Sequence, residues 1–174
     1  MDKTSVYELI QNFNLLTDKK ELLNAETKEL DLGFDERLLT FGRTSLQNSW
    51  PKNVPVYVTG TEPIDLIMCS PWMDLISERA KSIVEGFPLI DVEFLPVETY
   101  DEFGNKYTRM NYWVLHVYNV IEDGLDWEST VWTKSTPPRK GENLLHVGII
   151  KPALYLEKVQ NQHLFRVEGF RGVY

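Results

Sequence analysis

Three sets of side chains in this sequence have the types needed for a reaction. Cys69 follows Leu66-Ile67-Met68 and precedes Ser70-Pro71, a pair that reads as a helix start. A thiol at a helix entry gains thiolate character from backbone N–H groups and the helix dipole. With His116, His146 or His163 as its base, Cys69 would be a nucleophile. No family-specific local motif surrounds it, and free cysteine is among the most buried residue types, so a small core residue is the simpler reading. The three histidines have no HxxxH or HxH spacing, and a zinc site would need ligands that only folding could gather. No metal and no cofactor is assigned, because Gly-rich phosphate loops and Walker patterns are also absent.

The carboxylates form two groups. One holds Glu93, Glu98, Asp101 and Glu102, and the other holds Glu122, Asp123, Asp126 and Glu128 around Gly124 and Trp127. A pair of carboxylates can serve as acid and base in glycoside hydrolysis, given a cleft and one raised pKa. The sequence signals neither. Loop acids of this kind are otherwise solvated surface or a recognition surface for a basic protein. Trp127, flanked by Asp126 and Glu128, has the composition of a binding hot spot, and also that of a plug folded back over a sheet end. Glu122, Asp123, Asp126, Trp127 and Glu128 are therefore the first candidate patch for a partner, and Glu98, Asp101 and Glu102 the second.

Composition narrows the function classes. The chain has 174 residues, 43% hydrophobic and 12% aromatic, which suits one domain with a packed core. A formal net charge of −8 argues against general gripping of nucleic-acid phosphates. It permits binding of a basic protein, or mimicry of a nucleic acid. Residues 134–174 carry seven Lys or Arg against three Glu, so the acidity belongs to the preceding part. One cysteine excludes an internal disulfide framework and fits a reducing compartment. The N-terminal residues lack a secretory pattern, and no apolar run approaches bilayer length. The expected location is the cytoplasm, with neither membrane nor nucleic acid as a ligand. Oligomeric state is not legible.

The elements that must position these groups read as α+β: a twisted, mainly antiparallel sheet, a helix on one of its faces and an N-terminal helical arm. Residues 4–13 place Val6, Leu9, Ile10 and Phe13 at helical spacing. Residues 1–50 read as an arm docked on a domain of residues 51–174. Trp50-Pro51-Lys52-Asn53 is a loop, and Val54 to Thr59 a short strand. The main helix is expected over about 70–86, with Ser70 as N-cap, Pro71 as first helical residue and Gly86 as stop. Its stripe would be Trp72, Leu75, Ile76, Ala80, Ile83 and Val84. Val92 to Val97 is a strand that Pro96 confines to an edge or a bulge. Gly104-Asn105 marks a turn. Tyr112 to Ile121 alternates two apolar faces and should be a central strand covered on both sides. Thr130 to Thr133, Leu144 to Ile150, Ala153 to Val159 and Leu164 to Val167 read as further strands, with an exposed loop at Thr136 to Gly141 and a turn at Gln160-Asn161-Gln162.

The order of these segments resembles a family of bacterial immunity proteins from polymorphic toxin systems. The resemblance rests on "VEFLPVE" at Val92 to Glu98, "YWVLHVYNVIE" at Tyr112 to Glu122, "LDWES" at Leu125 to Ser129 and "HLFRVEG" at His163 to Gly169. It spans residues 66–174. Members of that family tend to continue into a further helix after the last of these strands, whereas this sequence ends at Gly172-Val173-Tyr174, and the N-terminal helix is the candidate to fill that place. The resemblance implies a non-enzymatic cytosolic inhibitor of one cognate toxin domain, with no catalytic residues. An enzyme using Cys69 or paired carboxylates, and an acidic mimic of nucleic acid, are the alternatives.

Overall fold

The segment with the most helical apolar spacing, Ser70 to Gly86, divides at Ser77 in the computed structural model of the chain, which describes residues 24–27, 32, 35, 37–60, 62–70, 73–133 and 149–168. Ser70 is the last residue of a strand, β3 (Leu66–Ser70), and Met73–Ser77 is its antiparallel partner β4. The helix α2 is only Glu78–Val84. This corrects the expected helix over 70–86: its N-cap is Ser77, whose Oγ accepts the Ala80 N–H at 3.1 Å. Leu75 and Ile76 fit a helical stripe and a strand equally well, and burial on both sides decides for the strand. Both are buried, and they belong to different apolar clusters, as adjacent strand residues on opposite faces must. Pro71 and Trp72 lie outside the described residues. The stop was legible: α2 ends at Val84, with Gly86 just beyond.

The remaining strands of the main sheet are β1 (Asn24–Glu26), β2 (Pro55–Thr59), β5 (Val92–Pro96), β6 (Glu98–Asp101) and β7 (Tyr112–Val117). The seven strands run in the order β5-β7-β4-β3-β1-β2-β6. Four of the six pairings are antiparallel, while β1 with β3 and β2 with β6 are parallel. Within the span expected as an N-terminal arm, Asn24–Glu26 thus lies inside the sheet, and Leu32, Leu39 and Leu46 join its core. The helix expected over residues 4–13 is outside the described residues.

Val92–Pro96 is an edge strand, as Pro96 requires. Its continuation after the single residue Val97 is β6, the opposite edge. The sheet therefore coils far enough for its two edges to be successive parts of one segment. Both outer margins are covered. Trp50 Nε1 donates to the Pro96 carbonyl at 2.8 Å beside β5, and the Tyr107 N–H donates to the Thr99 carbonyl at 2.8 Å beside β6.

One face of the sheet buries Ile67, Cys69, Met73, Leu75, Leu95, Tyr112 and Val114. The other buries Ile76, Leu115 and Val117 under α2, with Ala80 and Val84 packed against them. The expected two-sided burial of the Tyr112 strand holds, but the strand is shorter than Tyr112 to Ile121. Tyr118 and Asn119 turn their N–H groups to the Asp91 carbonyl, at 2.9 and 3.0 Å, and leave the sheet. The chain then enters a second, smaller module.

That module contains β8 (Val120–Ile121) parallel to β11 (Arg166–Val167), β9 (Val131–Trp132) antiparallel to β10 (Ile149–Lys151), and one helical turn, α3 (Leu156–Val159). Its core is Leu125, Trp132, Val159, Phe165 and Val167. The strand expected over Ala153 to Val159 is corrected: Leu154 makes one bridge with Leu125, and the chain then turns helical, with the Lys158 N–H donating to the Tyr155 carbonyl at 3.0 Å. The Thr136 to Gly141 loop and residues 144–148 are outside the described residues.

The hairpin and the helix make different demands on two residues of the supposed single stripe. Leu75 is fully buried and Ile83 is 64% exposed. Leu75→Ala should cost about 2–5 kcal/mol in denaturant unfolding, whereas Ile83→Ala should stay within about 0.5 kcal/mol. Equal losses at both positions would contradict the hairpin.

Candidate functional site

The chain between α1 (Leu38–Phe41) and β2 brings together more buried polar chemistry than any acidic loop. The Glu93 carboxylate, on β5, accepts Ser45 Oγ at 2.6 Å, the Leu46 N–H at 2.6 Å and His116 Nδ1 at 2.8 Å. Ser, His and Glu are the residue types of a hydrolytic triad, but the order of contact is wrong for one. In a triad the histidine lies between hydroxyl and carboxylate, so that it can take the hydroxyl proton. Here the carboxylate lies in the middle and accepts from both, and no histidine touches Ser45 Oγ among the described contacts. Three donors on one carboxylate form a structural clamp.

Burial by itself would raise the Glu93 carboxyl, but the hydrogen bonds from Ser45, His116 and Leu46 outweigh it and hold the group below its ordinary range. His116 is fully buried, and loss of water lowers its pKa despite the neighbouring Glu93. The neutral ring donates through Nδ1, and the buried Nε2 has no hydrogen-bond partner within reach among the described residues.

Cys69 is a core residue of β3, opposite Met73, and not the entry to a helix. Burial, reinforced by the charges of Asp74 and Glu26, pushes its thiol up to about 12. A thiol so disfavoured for ionisation is a poor nucleophile at neutral pH. His116 is committed to Glu93, His163 is exposed against Phe87, and His146 is outside the described residues. No group of three or more His, Cys, Asp or Glu is placed to hold a metal ion among the described residues.

The two acidic groups lie in different parts of the molecule. Glu98 and Asp101 are on β6, with Glu102 in the turn that follows, whereas Glu122 to Glu128 occupy the loop between β8 and β9. Several of these acids have architectural partners. Glu98 accepts the Tyr100 hydroxyl at 2.8 Å. Asp101 accepts the N–H groups of Phe103 and Asn105 at 3.0 and 2.8 Å and the Asn105 side chain at 3.0 Å, and Asn105 holds its carboxyl below the usual range. Glu122 pairs with Arg43. Asp126 accepts the N–H groups of Glu128 and Ser129, both at 3.1 Å, and contacts with Ser129 lower its pKa. Glu102, Asp123 and Glu128 are exposed. Trp127 is half-buried and stacks on Trp132 with ring centroids 5.3 Å apart, so it is in large part the plug of the module's core.

At the seam where β5 passes into β6 there is a cavity of about 170 Å³ lined by Glu98, Lys106, Tyr107, Asn111 and Trp113, among others. Glu98 is the one carboxylate on its wall, so no acid–base pair is assembled there. Sequence reasoning missed the Ser45–Glu93–His116 clamp, because its members come from segments 48 and 23 residues apart. It also missed Tyr155 and Leu156 as surface residues, since "ALYLEKV" alternates like a strand.

The chain is mainly sheet with few helices, buries both faces of its main sheet, and uses several of its acids in turns and clamps. The Imm11 immunity protein family matches residues 6–173, nearly the whole chain, and the protein belongs to that family. The match extends the resemblance, first visible over residues 66–174, back through the N-terminal part. No curated protein matches the chain.

Both clamp partners favour folding at neutral pH, and the sign follows from their shifts. His116 titrates below its ordinary 6.5 and Glu93 below its ordinary 4.5, so the unfolded chain binds more protons than the folded one. Stability should therefore fall as pH drops from about 7 through the His range, and fall further below the ordinary carboxylate range. Urea unfolding at stepped pH should show this loss, with a shallower dependence in His116→Gln across the histidine range. In a separate check, Cys69 should resist thiol reagents in the native protein and react fully in denaturant; rapid native labelling would refute its burial.

Proposed function

We propose that this protein is a non-enzymatic inhibitor that binds a cognate toxin domain in the cytoplasm and neutralises it. The observation that carries the reading is membership of the Imm11 immunity family over nearly the entire chain. A net charge of −8 adds to it, because an acidic inhibitor of a basic toxin gains rapid association from electrostatic steering. The acidic loops are the proposed steering surface: Glu122, Asp123, Asp126, Trp127 and Glu128 in one part, Glu98, Asp101 and Glu102 in the other. Within these groups Glu98, Asp101, Glu122 and Asp126 have internal partners that fix the loops. The exposed Glu102 and Glu128 are the members whose charge can be reversed without undoing a turn.

Co-expression with a toxin domain recovered by pull-down on the tagged protein tests the reading directly. Growth of cells carrying both, where the toxin alone kills, is the expected outcome; continued killing would refute neutralisation. With the isolated toxin domain, Glu102→Lys and Glu128→Lys should each slow association by roughly threefold to tenfold at low salt. The difference should shrink above about 0.15 M salt, where the Debye length is about 8 Å.

A further inference from the structure

The hairpin that ends β6 carries the most exposed large apolar side chain among the described residues, Phe103, at 81%. Its backbone is held in place. Tyr100 bridges to Lys106, and the Asp101 N–H donates to the Asn105 carbonyl at 2.8 Å. The Asp101 carboxylate accepts the Phe103 N–H at 3.0 Å, and Gly104 closes the turn at a φ of +83°. A ring presented on an ordered turn loses little entropy when a partner covers it.

The base of the same hairpin lines the seam cavity. Pro96, Val97, Tyr107 and Trp113 give its wall apolar surface, and Glu98 and Lys106 give it charge. Its volume of about 170 Å³ is that of one aromatic ring, since a cavity of about 150 Å³ takes up benzene. The Tyr107 hydroxyl is buried without a hydrogen-bond partner among the described residues, and an aromatic face is a weak acceptor where an aliphatic side chain is none. Phe103 precedes Lys106 by three residues, so knob and cavity wall are at most about 11 Å apart between Cα atoms.

The charges select the occupant. Glu102 beside the ring and Lys106 on the cavity wall are exposed, and neither makes an ion pair among the described residues. Of the other acids on the hairpin, Glu98 accepts the Tyr100 hydroxyl and Asp101 is used in the turn. A knob flanked by an acid and a hollow flanked by a lysine are complementary to each other. A two-fold axis that sends Phe103 into the cavity of a second copy brings Glu102 toward Lys106 of that copy, and symmetry repeats both contacts. The α2 face is also apolar, with Ile83 and Phe87 64% and 52% exposed. The charged residues of α2, however, are engaged within the chain: Glu78 with Trp113, Arg79 with Asp65 and Lys81 with Glu85. Nothing there names an occupant.

We infer that two copies of this chain pair through the Tyr100–Lys106 hairpin, the Phe103 ring of each filling the seam cavity of the other. This goes beyond the neutralisation reading and does not rest on it. A phenylalanine buries about 150–250 Å², so two rings and the walls that receive them fall short of the roughly 1,200 Å² of a standard interface. A charge of −8 on each chain also opposes association, so the dimer is weak and reversible.

Sedimentation of the full chain over rising concentration should show a monomer passing to a dimer. Phe103→Ala should weaken the dimer about tenfold or more, with an unchanged thermal unfolding midpoint because the ring is exposed. Glu102→Lys and Lys106→Glu should each weaken it, and the two together should restore it, a rescue that a merely structural role would not give. A wild type that stays monomeric at the highest concentration would overturn the inference, as would a dimer that Phe103→Ala leaves intact. Loss of the dimer in Ile83→Ser with Phe87→Ser, but not in Phe103→Ala, would move the interface to α2. A monomeric wild type whose binding to a pulled-down toxin domain is lost in Phe103→Ala would assign the hairpin to the toxin and overturn self-pairing.

Discussion

The Glu93 carboxylate is the interaction on which the arrangement of the main sheet depends. It sits on an edge strand and accepts hydrogen bonds from the 45–46 loop and from the neighbouring strand's buried histidine. An edge strand exposes unpaired backbone groups, and this protein covers its edge with the chain from Ser45 to Trp50. Leu46 enters the core on the same loop whose N–H is bound by Glu93. Remove the carboxylate and the histidine, the serine and one backbone N–H lose a partner together, a buried polar network left partly unsatisfied. The loss would be felt where the sheet's edge is sealed.

A second set of contacts joins the sheet to the smaller module. Asn119, at the point where the Tyr112 strand leaves the sheet, donates its side-chain amide to Gln162 and to the Leu164 carbonyl, and its own carbonyl accepts the Arg166 N–H. Arg166 is buried and donates to the Gly42 carbonyl, and loss of water pushes its pKa down to about 10. Arg43, next in the chain, reaches Glu122 and Glu168 on the module. Those last pairs are well exposed and worth little alone, on the order of 0–1 kcal/mol each. Their geometric effect is larger than their energy, because the 42–46 loop is bound to the sheet at one end and to the module at the other. The acidic loop is thereby held on a fixed base.

How far this was legible depended on whether local pattern and tertiary environment pointed the same way. At Pro96 they did: a residue without an N–H predicts an edge or a bulge, and the strand is an edge. At Gly104 they also did, since φ is +83°, a conformation glycine adopts without strain. At Ser70 they did not. Leu75, Ile76, Ala80 and Val84 satisfy a helical period, yet the first two are strand residues facing opposite clusters. A period count cannot separate these when a short helix follows directly on a strand, because an apolar run buried on both faces fits either template. The break at Tyr118 was hidden for a related reason: the apolar pattern continues through Ile121, and only the Asp91 carbonyl, 27 residues before Tyr118 in sequence, accounts for the turn. Of the candidate surface, the acids were visible as composition, but their division into structural and exposed members was not. That division depends on Arg43, Ser129 and Asn105 contacts that no single-sequence pattern encodes.

The same division bears on how an acidic protein of this size can fold. Net charge of one sign opposes compaction through self-repulsion. Here several carboxylates are absorbed by turns and clamps: Asp101 and Asp126 order tight loops, Asp65 joins Ser77 and Arg79 at the start of α2, and Glu93 seals the edge. Each acid used in this way accepts hydrogen bonds that make its charge an aid to the fold. Among the described residues, Glu102 and Glu128 are exposed carboxylates on turns whose backbones such bonds hold. A charge on a pre-ordered loop loses little conformational entropy when a partner arrives, so more of its attraction survives as association rate and affinity. Acids of the first kind therefore build the platform on which acids of the second kind are presented.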